Sequence, residues 1–270
     1  RSGSGAVALL LRCARGDMPP PPSSPPLLAI FVRLCATAHL LRIYTALAPG
    51  TLNMDQGRVG VERSGIGADV TIVVAALCLA CYLPARPLVA VSALAVRAVT
   101  NLSKGGSLGN SQTWGAYTDC ALVASLVGEA ASSKVWLRPL DAPAQRRVVY
   151  AAAPCVLWQL VLFYSASGFW KINSSFLRPE YSCGAMFSVQ LAEWLPDALA
   201  FRVAPLLAVA GPSITLGVEH LIPLAQAASP AAGVAATVVF HLLIGLSPCP
   251  CNISSFGATL VPRVFLLLPE

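Results

Sequence analysis

Charge is what this sequence has least of. Only 11% of its 270 residues are Asp, Glu, Lys or Arg, where a water-soluble domain carries about 25%. So few charges cannot cover a water-facing surface, which argues against a soluble globular domain. Acids are the scarcer sign, 12 against 18 bases. The basic excess is spread along the chain without a run of nucleic-acid type, so it reads as topology-setting charge. Histidine is rarer still. His39, His220 and His241 are dispersed, with no His or Cys partner at ligand spacing, and no metal centre is expected. A signal peptide is not evident, because "AVALLLRCA" is short and broken by Arg12. No polar stretch is long enough for a second domain.

What fills the chain instead is apolar: 56% of residues are hydrophobic and the mean hydropathy is +0.69. This predicts an all-α fold, a polytopic integral membrane helical bundle of about 7–8 transmembrane helices plus one interfacial amphipathic helix, since a span needs roughly 17–25 mostly apolar residues. The candidate spans are 27–48, 67–84, 86–101, 113–131, 148–169, 203–225, 231–247 and 253–268, the last short and broken by Arg263. Residues 184–200, "GAMFSVQLAEWLPDALA", are too polar to cross and read as the interfacial helix. Residues 1–26, with "MPPPPSSPP", read as a disordered proline-rich arm, because proline lacks the helical donor. The transmembrane domain is then 27–268. The start on Arg1, with Met18 as an internal start, suggests a fragment or incomplete gene model.

The loop "SSKVWLRPLDAPAQRR", residues 132–147, carries Lys134, Arg138, Arg146 and Arg147 against Asp141, and the positive-inside rule makes it cytoplasmic. Three glycosylation tripeptides, at Asn101, Asn173 and Asn252, then fall on or near the opposite side. Cys78 and Cys81 form a CxxC inside "TIVVAALCLACYL", where buried structural thiols fit better than a redox or metal site. Cys249 and Cys251 could pair with Cys183 on an oxidising face, which spacing alone leaves open.

Ionisable groups at membrane depth are costly and mark candidate sites. Besides Arg33 and Arg42 of the first span, the set is Arg97, Asp119, Glu219, His220 and His241, and an Arg97–Asp119 pair fixing helix register is one structural reading of it. Their number implies a polar cavity between helices. Lys171, at the exit of the span ending "VLFYSASGFWK", has two readings. With Trp170 it makes an interfacial anchor whose ammonium snorkels to the headgroups. Held out of water in a pocket, it would serve as a general base.

The stretch "FYSASGFWKINSSFLRPEYS" resembles a segment of the vitamin K-dependent gamma-glutamyl carboxylase family, in which a membrane helix ends in a pattern like A-G-x-K-K-L-D-x-D-W with a Tyr-Ser a few residues on. "VWLRPLDAPAQRRVV" is similar to that family's short basic loop, and "VVFHLLIGLSPCPCNISSFGATLVPR" to its His-bearing helix and following I-x-x-F element, matched by His241, Ile253 and Phe256. The wider group is the HTTM (horizontally transferred transmembrane) domain family, and the likeness runs over roughly residues 27–268. The sequence differs at Trp170, where the family has a first lysine, at Asn173 and Ser175, where it has acids, and at Asp119-Cys120, where it has Asn-His.

The resemblance implies an endoplasmic reticulum or other endomembrane protein with a lumen-facing polar pocket near Lys171 and His241, binding a quinone or another lipophilic small molecule. No cofactor follows from the residues alone; reduced vitamin K is the one the resemblance implies. Carried to chemistry, it implies a carboxylase of the carbon–carbon lyase type, in a fragment lacking the lumenal domain, with Lys171 as the base that deprotonates reduced vitamin K. A non-enzymatic transporter or complex subunit is the other class, although no internal repeat supports a transporter. The partners expected are the lipid bilayer and that small molecule, and not nucleic acid.

Overall fold

A computed structural model describes residues 27–47, 86–103, 111–245 and 254–268. Every regular element among the described residues is helical. In chain order they are α1 (Leu27–Leu47), α2 (Pro87–Ser103), α3 (Ser111–Ser133), α4 (Ala142–Trp170), α5 (Ser174–Leu177), α6 (Cys183–Leu191), α7 (Asp197–Ala228), α8 (Pro230–Gly245) and α9 (Ser254–Val264). Single 3₁₀ turns follow α6 at Ala192–Trp194 and α9 at Phe265–Leu267. The span expected at 67–84, the arm 1–26, Asn252, Cys78, Cys81, Cys249 and Cys251 lie outside the described residues.

Helix α4 is the centre of the bundle. It packs against α1, α3, α7 and α9, and its inward stripe of Val148, Val156, Leu160 and Phe163 meets Phe31, Leu122, Leu126, Ile222 and Leu260 in one core. Its start is well specified. The Asp141 side chain accepts from the Ala144 N–H at 2.8 Å, a proline stands in the first turn where its missing donor costs nothing, and Arg147 grips Glu129 at the end of α3 through two bonds of 2.6 and 3.0 Å. The Leu88 N–H bonds the Trp136 carbonyl at 3.1 Å, which ties the start of α2 to the same loop.

Among the described residues two helices, α4 with 29 residues and α7 with 32, are long and apolar enough to cross a membrane. At 1.5 Å per residue they reach roughly 44 and 48 Å, against a hydrocarbon core of about 30 Å. The sequence placed 184–200 as one interfacial helix. The structure instead divides it: α6 and its 3₁₀ turn cover Cys183–Trp194, and from Asp197 the chain already belongs to α7. The segment expected as a last span, 253–268, is an 11-residue helix plus a 3₁₀ turn. That is too short to cross, and Leu260, Val264 and Leu266 are buried between α1, α3 and α8.

Helices α6 and α7 approach closely because Gly184 and Gly211 face each other's backbone. A β-carbon on Gly211 would lie 2.4 Å from Ser188 Oγ and 2.8 Å from the Gly184 carbonyl. Gly211→Val is therefore expected to push α6 off α7 and to cost about 1–3 kcal/mol, the usual penalty of overpacking. A thermal melt in detergent checks this, and an unchanged midpoint would count against the close contact.

Candidate functional site

Tyr164, Ser167 and Gly168 of α4 and its C-cap Lys171 follow the i, i+3, i+4, i+7 spacing that lines one face of a helix. That face meets α7 and α8. Lys171 Nζ donates to Glu219 Oε2 at 2.7 Å, to Glu219 Oε1 at 2.9 Å and to Ser167 Oγ at 2.8 Å. Ser167 Oγ in turn donates to Glu219 Oε2 at 3.2 Å. An ammonium has three hydrogens, and here three acceptors surround it. The glutamate side chain is 5% exposed and the lysine 23%, so the pair sits at the rim of the α4–α7 contact with the carboxylate as its inner member. Trp170 points the other way and is 76% exposed. The tryptophan faces outward as an anchor would, whereas the lysine turns inward.

Seven residues before Lys171 on the same face, the Tyr164 hydroxyl lies 2.6 Å from His241 Nε2 of α8, with both side chains buried. His220, beside Glu219 on α7, keeps its Nδ1 2.8 Å from the Leu216 carbonyl, and its ring rests on Gly168. Further along, Gln226 Nε2 donates to Thr237 Oγ1 at 3.2 Å, with both residues buried where α7 meets α8.

The remaining candidates form a second cluster. Arg97 of α2 grips Asp119 of α3 through bonds of 2.7 and 2.5 Å. Arg263 of α9 adds a bond of 2.9 Å to the same carboxylate and two to the Gly115 carbonyl at 3.1 and 3.3 Å. Asp119 is fully buried and Arg263 is 2% exposed. One carboxylate thus joins three helices.

The candidates fall into these two clusters rather than one pocket. A concavity of about 440 Å³ opens beside α6 and α7, lined by Tyr181, Met186, Val189, Gln190 and Ala208; Lys171, Glu219 and His241 do not line it. Among the candidate glycosylation sites, Asn101 lies in α2, and Asn173 caps α5. The Asn173 Nδ2, the atom that glycosylation would use, donates to the Trp170 carbonyl at 2.7 Å. Cys183 carries a free, exposed thiol. Among the described residues no group of His, Cys, Asp and Glu could hold a metal ion.

Ser167, Tyr164 and Arg263 take part in these clusters without having been singled out as site residues in the sequence. For the first two the signal was present in their spacing from Lys171. No family model, characterised protein or solved structure matches the chain.

Proposed function

We propose that the chain is a multi-pass integral membrane protein of HTTM-like type, in which the Lys171–Glu219–Ser167 cluster is a proton-handling site for a quinone or a similar lipophilic molecule. The membrane part of this reading is supported by the outer surface. In the most apolar window of α7 only 11% of the residues are buried, and Phe201, Leu206, Val209 and Leu224 on that helix are exposed, as are Trp158 and Leu162 on α4. Such a surface is an aggregation liability in water and the expected one in lipid. Exposed Trp170 at the end of α4, and Tyr181 and Trp194 between α4 and α7, make the pattern of an interfacial aromatic belt. A secretory-pathway membrane such as the endoplasmic reticulum follows from the family resemblance alone.

The observation that carries the chemical part is the triple contact of Lys171 Nζ across the two longest apolar helices. A proton moving from Nζ to the Glu219 carboxylate turns the ion pair into a neutral amine and a neutral acid, so that neither formal charge is left at membrane depth. The amine can then take a proton from an acidic hydroxyl such as that of a hydroquinone, and Ser167 keeps Glu219 in place while it holds the first proton. In this scheme the glutamate is the store and the lysine is the base. The carboxylase reading uses the same first step.

Membranes bearing the full-length protein, supplied with reduced vitamin K and with dioxygen as the oxidant and oxygen source, are expected to form its epoxide. Lys171→Ala and the charge-free Lys171→Met/Glu219→Gln variant are expected to lose that activity by at least about 100-fold, the low end of what general-base catalysis contributes. Equal epoxide formation in wild type and variants would remove Lys171 from the chemistry. Release of the protein into alkaline carbonate supernatants would overturn the membrane assignment.

A further inference from the structure

We infer that Gly168 and His220 form a spacer that sets the distance between α4 and α7 and so holds Lys171 on Glu219. The two residues are positioning residues, and their importance for function rests on the proposed reading of Lys171; the spacer itself rests on the contact alone. Glycine inside a helix is less favourable than alanine, so a glycine in the last turn of α4 that is followed by two more helical residues calls for a packing reason. At Gly168 the reason is visible. A β-carbon there would stand 2.7 Å from His220 Cε1, 2.9 Å from Nδ1 and 3.2 Å from Nε2. The imidazole therefore lies flat on the bare backbone of α4.

The ring is also pinned. The Leu216 carbonyl can only accept, so the 2.8 Å contact to it makes His220 Nδ1 the donor and fixes the ring plane. Swinging away from an added methyl group would break that bond. The alternative is for the helices to part, and the first contact to suffer is one residue along α7. Glu219 precedes His220, and Lys171 lies one helical turn beyond Gly168 on the same face. Gly168 also accepts the N–H of Lys171 at 3.0 Å, so it anchors the turn from which the lysine side chain projects.

The test reads Lys171 itself. Acetylation by a small amine-reactive ester needs a free lone pair, which an ammonium enclosed by three acceptors does not present. The purified full chain in detergent is treated with the reagent and the rate at Lys171 is followed by peptide mass spectrometry, with exposed Lys134 as the internal reference. Gly168→Ala is expected to raise the Lys171 rate roughly tenfold, toward that of Glu219→Gln, as loss of a partly buried pair would. Adding His220→Ala removes the obstruction, and Gly168→Ala/His220→Ala is expected to return to near the wild-type rate.

A wild-type rate in Gly168→Ala, or a double variant as fast as the single one, would overturn the inference. Should Gly168→Ala alone fail to accumulate, the double variant decides: recovery with a protected Lys171 supports the spacer, and failure to accumulate rejects it. Epoxide formation is not read in this experiment. A protected Lys171 without turnover would remove the proposed chemistry and leave the spacer standing.

Discussion

Asp119→Ala is expected to leave little or no folded protein. The carboxylate is fully buried and balances the guanidinium groups of Arg97 and Arg263, which reach it from α2 and α9. Removing one partner of a buried ion pair costs about 3–5 kcal/mol, because it leaves the remaining charge uncompensated. Here two cations lose a shared partner, and a typical domain has only about 5–15 kcal/mol of stability in all. Asp119→Asn keeps one acceptor oxygen and is expected to be milder. Expression level and the detergent melting midpoint measure both. A wild-type midpoint in Asp119→Ala would mean that this triad does not hold α2, α3 and α9 together.

The second large effect is an asymmetry between the partners of the other pair. Lys171→Ala strands a glutamate whose side chain is 5% exposed, whereas Glu219→Gln releases a lysine that already reaches the rim at 23%. A long aliphatic stem lets the freed ammonium move to polar surroundings, an escape the short and inner carboxylate lacks. Lys171→Ala is therefore expected to cost about 3–5 kcal/mol and Glu219→Gln clearly less. Lys171→Met/Glu219→Gln, with no charge left to strand, is expected to recover most of the loss. A double-mutant cycle by thermal melting in detergent measures the coupling. Additive losses would show that the two residues do not stabilise each other.

The helical class was legible because long apolar segments with few charges leave the backbone little alternative to bonding within itself. The segments read at 27–48, 86–101, 113–131, 148–169, 203–225 and 231–247 each overlap a helix, and among the described residues two helices, α4 and α7, are long and apolar enough to cross a membrane. The reading of 253–268 as a span failed for a local reason. Its apolar residues pack inward among other helices, and hydropathy does not distinguish a protein interior from lipid. The interfacial helix was drawn too long because 184–200 as a whole is too polar to cross; its Asp197 is in fact in the first turn of α7, where an acid suits the helix dipole.

The pairing of Arg97 with Asp119 could be suspected from two opposite charges on neighbouring spans. Arg263 could not be joined to them, since only the fold brings it across 144 positions of sequence. The direction of Lys171 was also hidden. Anchor and inward pair share one composition, and which side of α4 faces α7 is decided by Gly168 and Ser167, whose meaning depends on the neighbouring helix.

Helix α7 carries Pro205, Pro212 and Pro223 inside its length. Each supplies no N–H to the carbonyl four residues earlier, which weakens the ladder at Phe201, Ala208 and Glu219. The last of these is the residue that holds Lys171. Glu219 therefore sits at a soft joint in an otherwise stiff rod, one helical turn from where α7 can bend most cheaply. A bend of a few degrees there would swing the carboxylate relative to α4 while the rest of the helix stays put. The ion pair is mounted on a flexure, so any bending of α7 would reach the Lys171–Glu219 contact early.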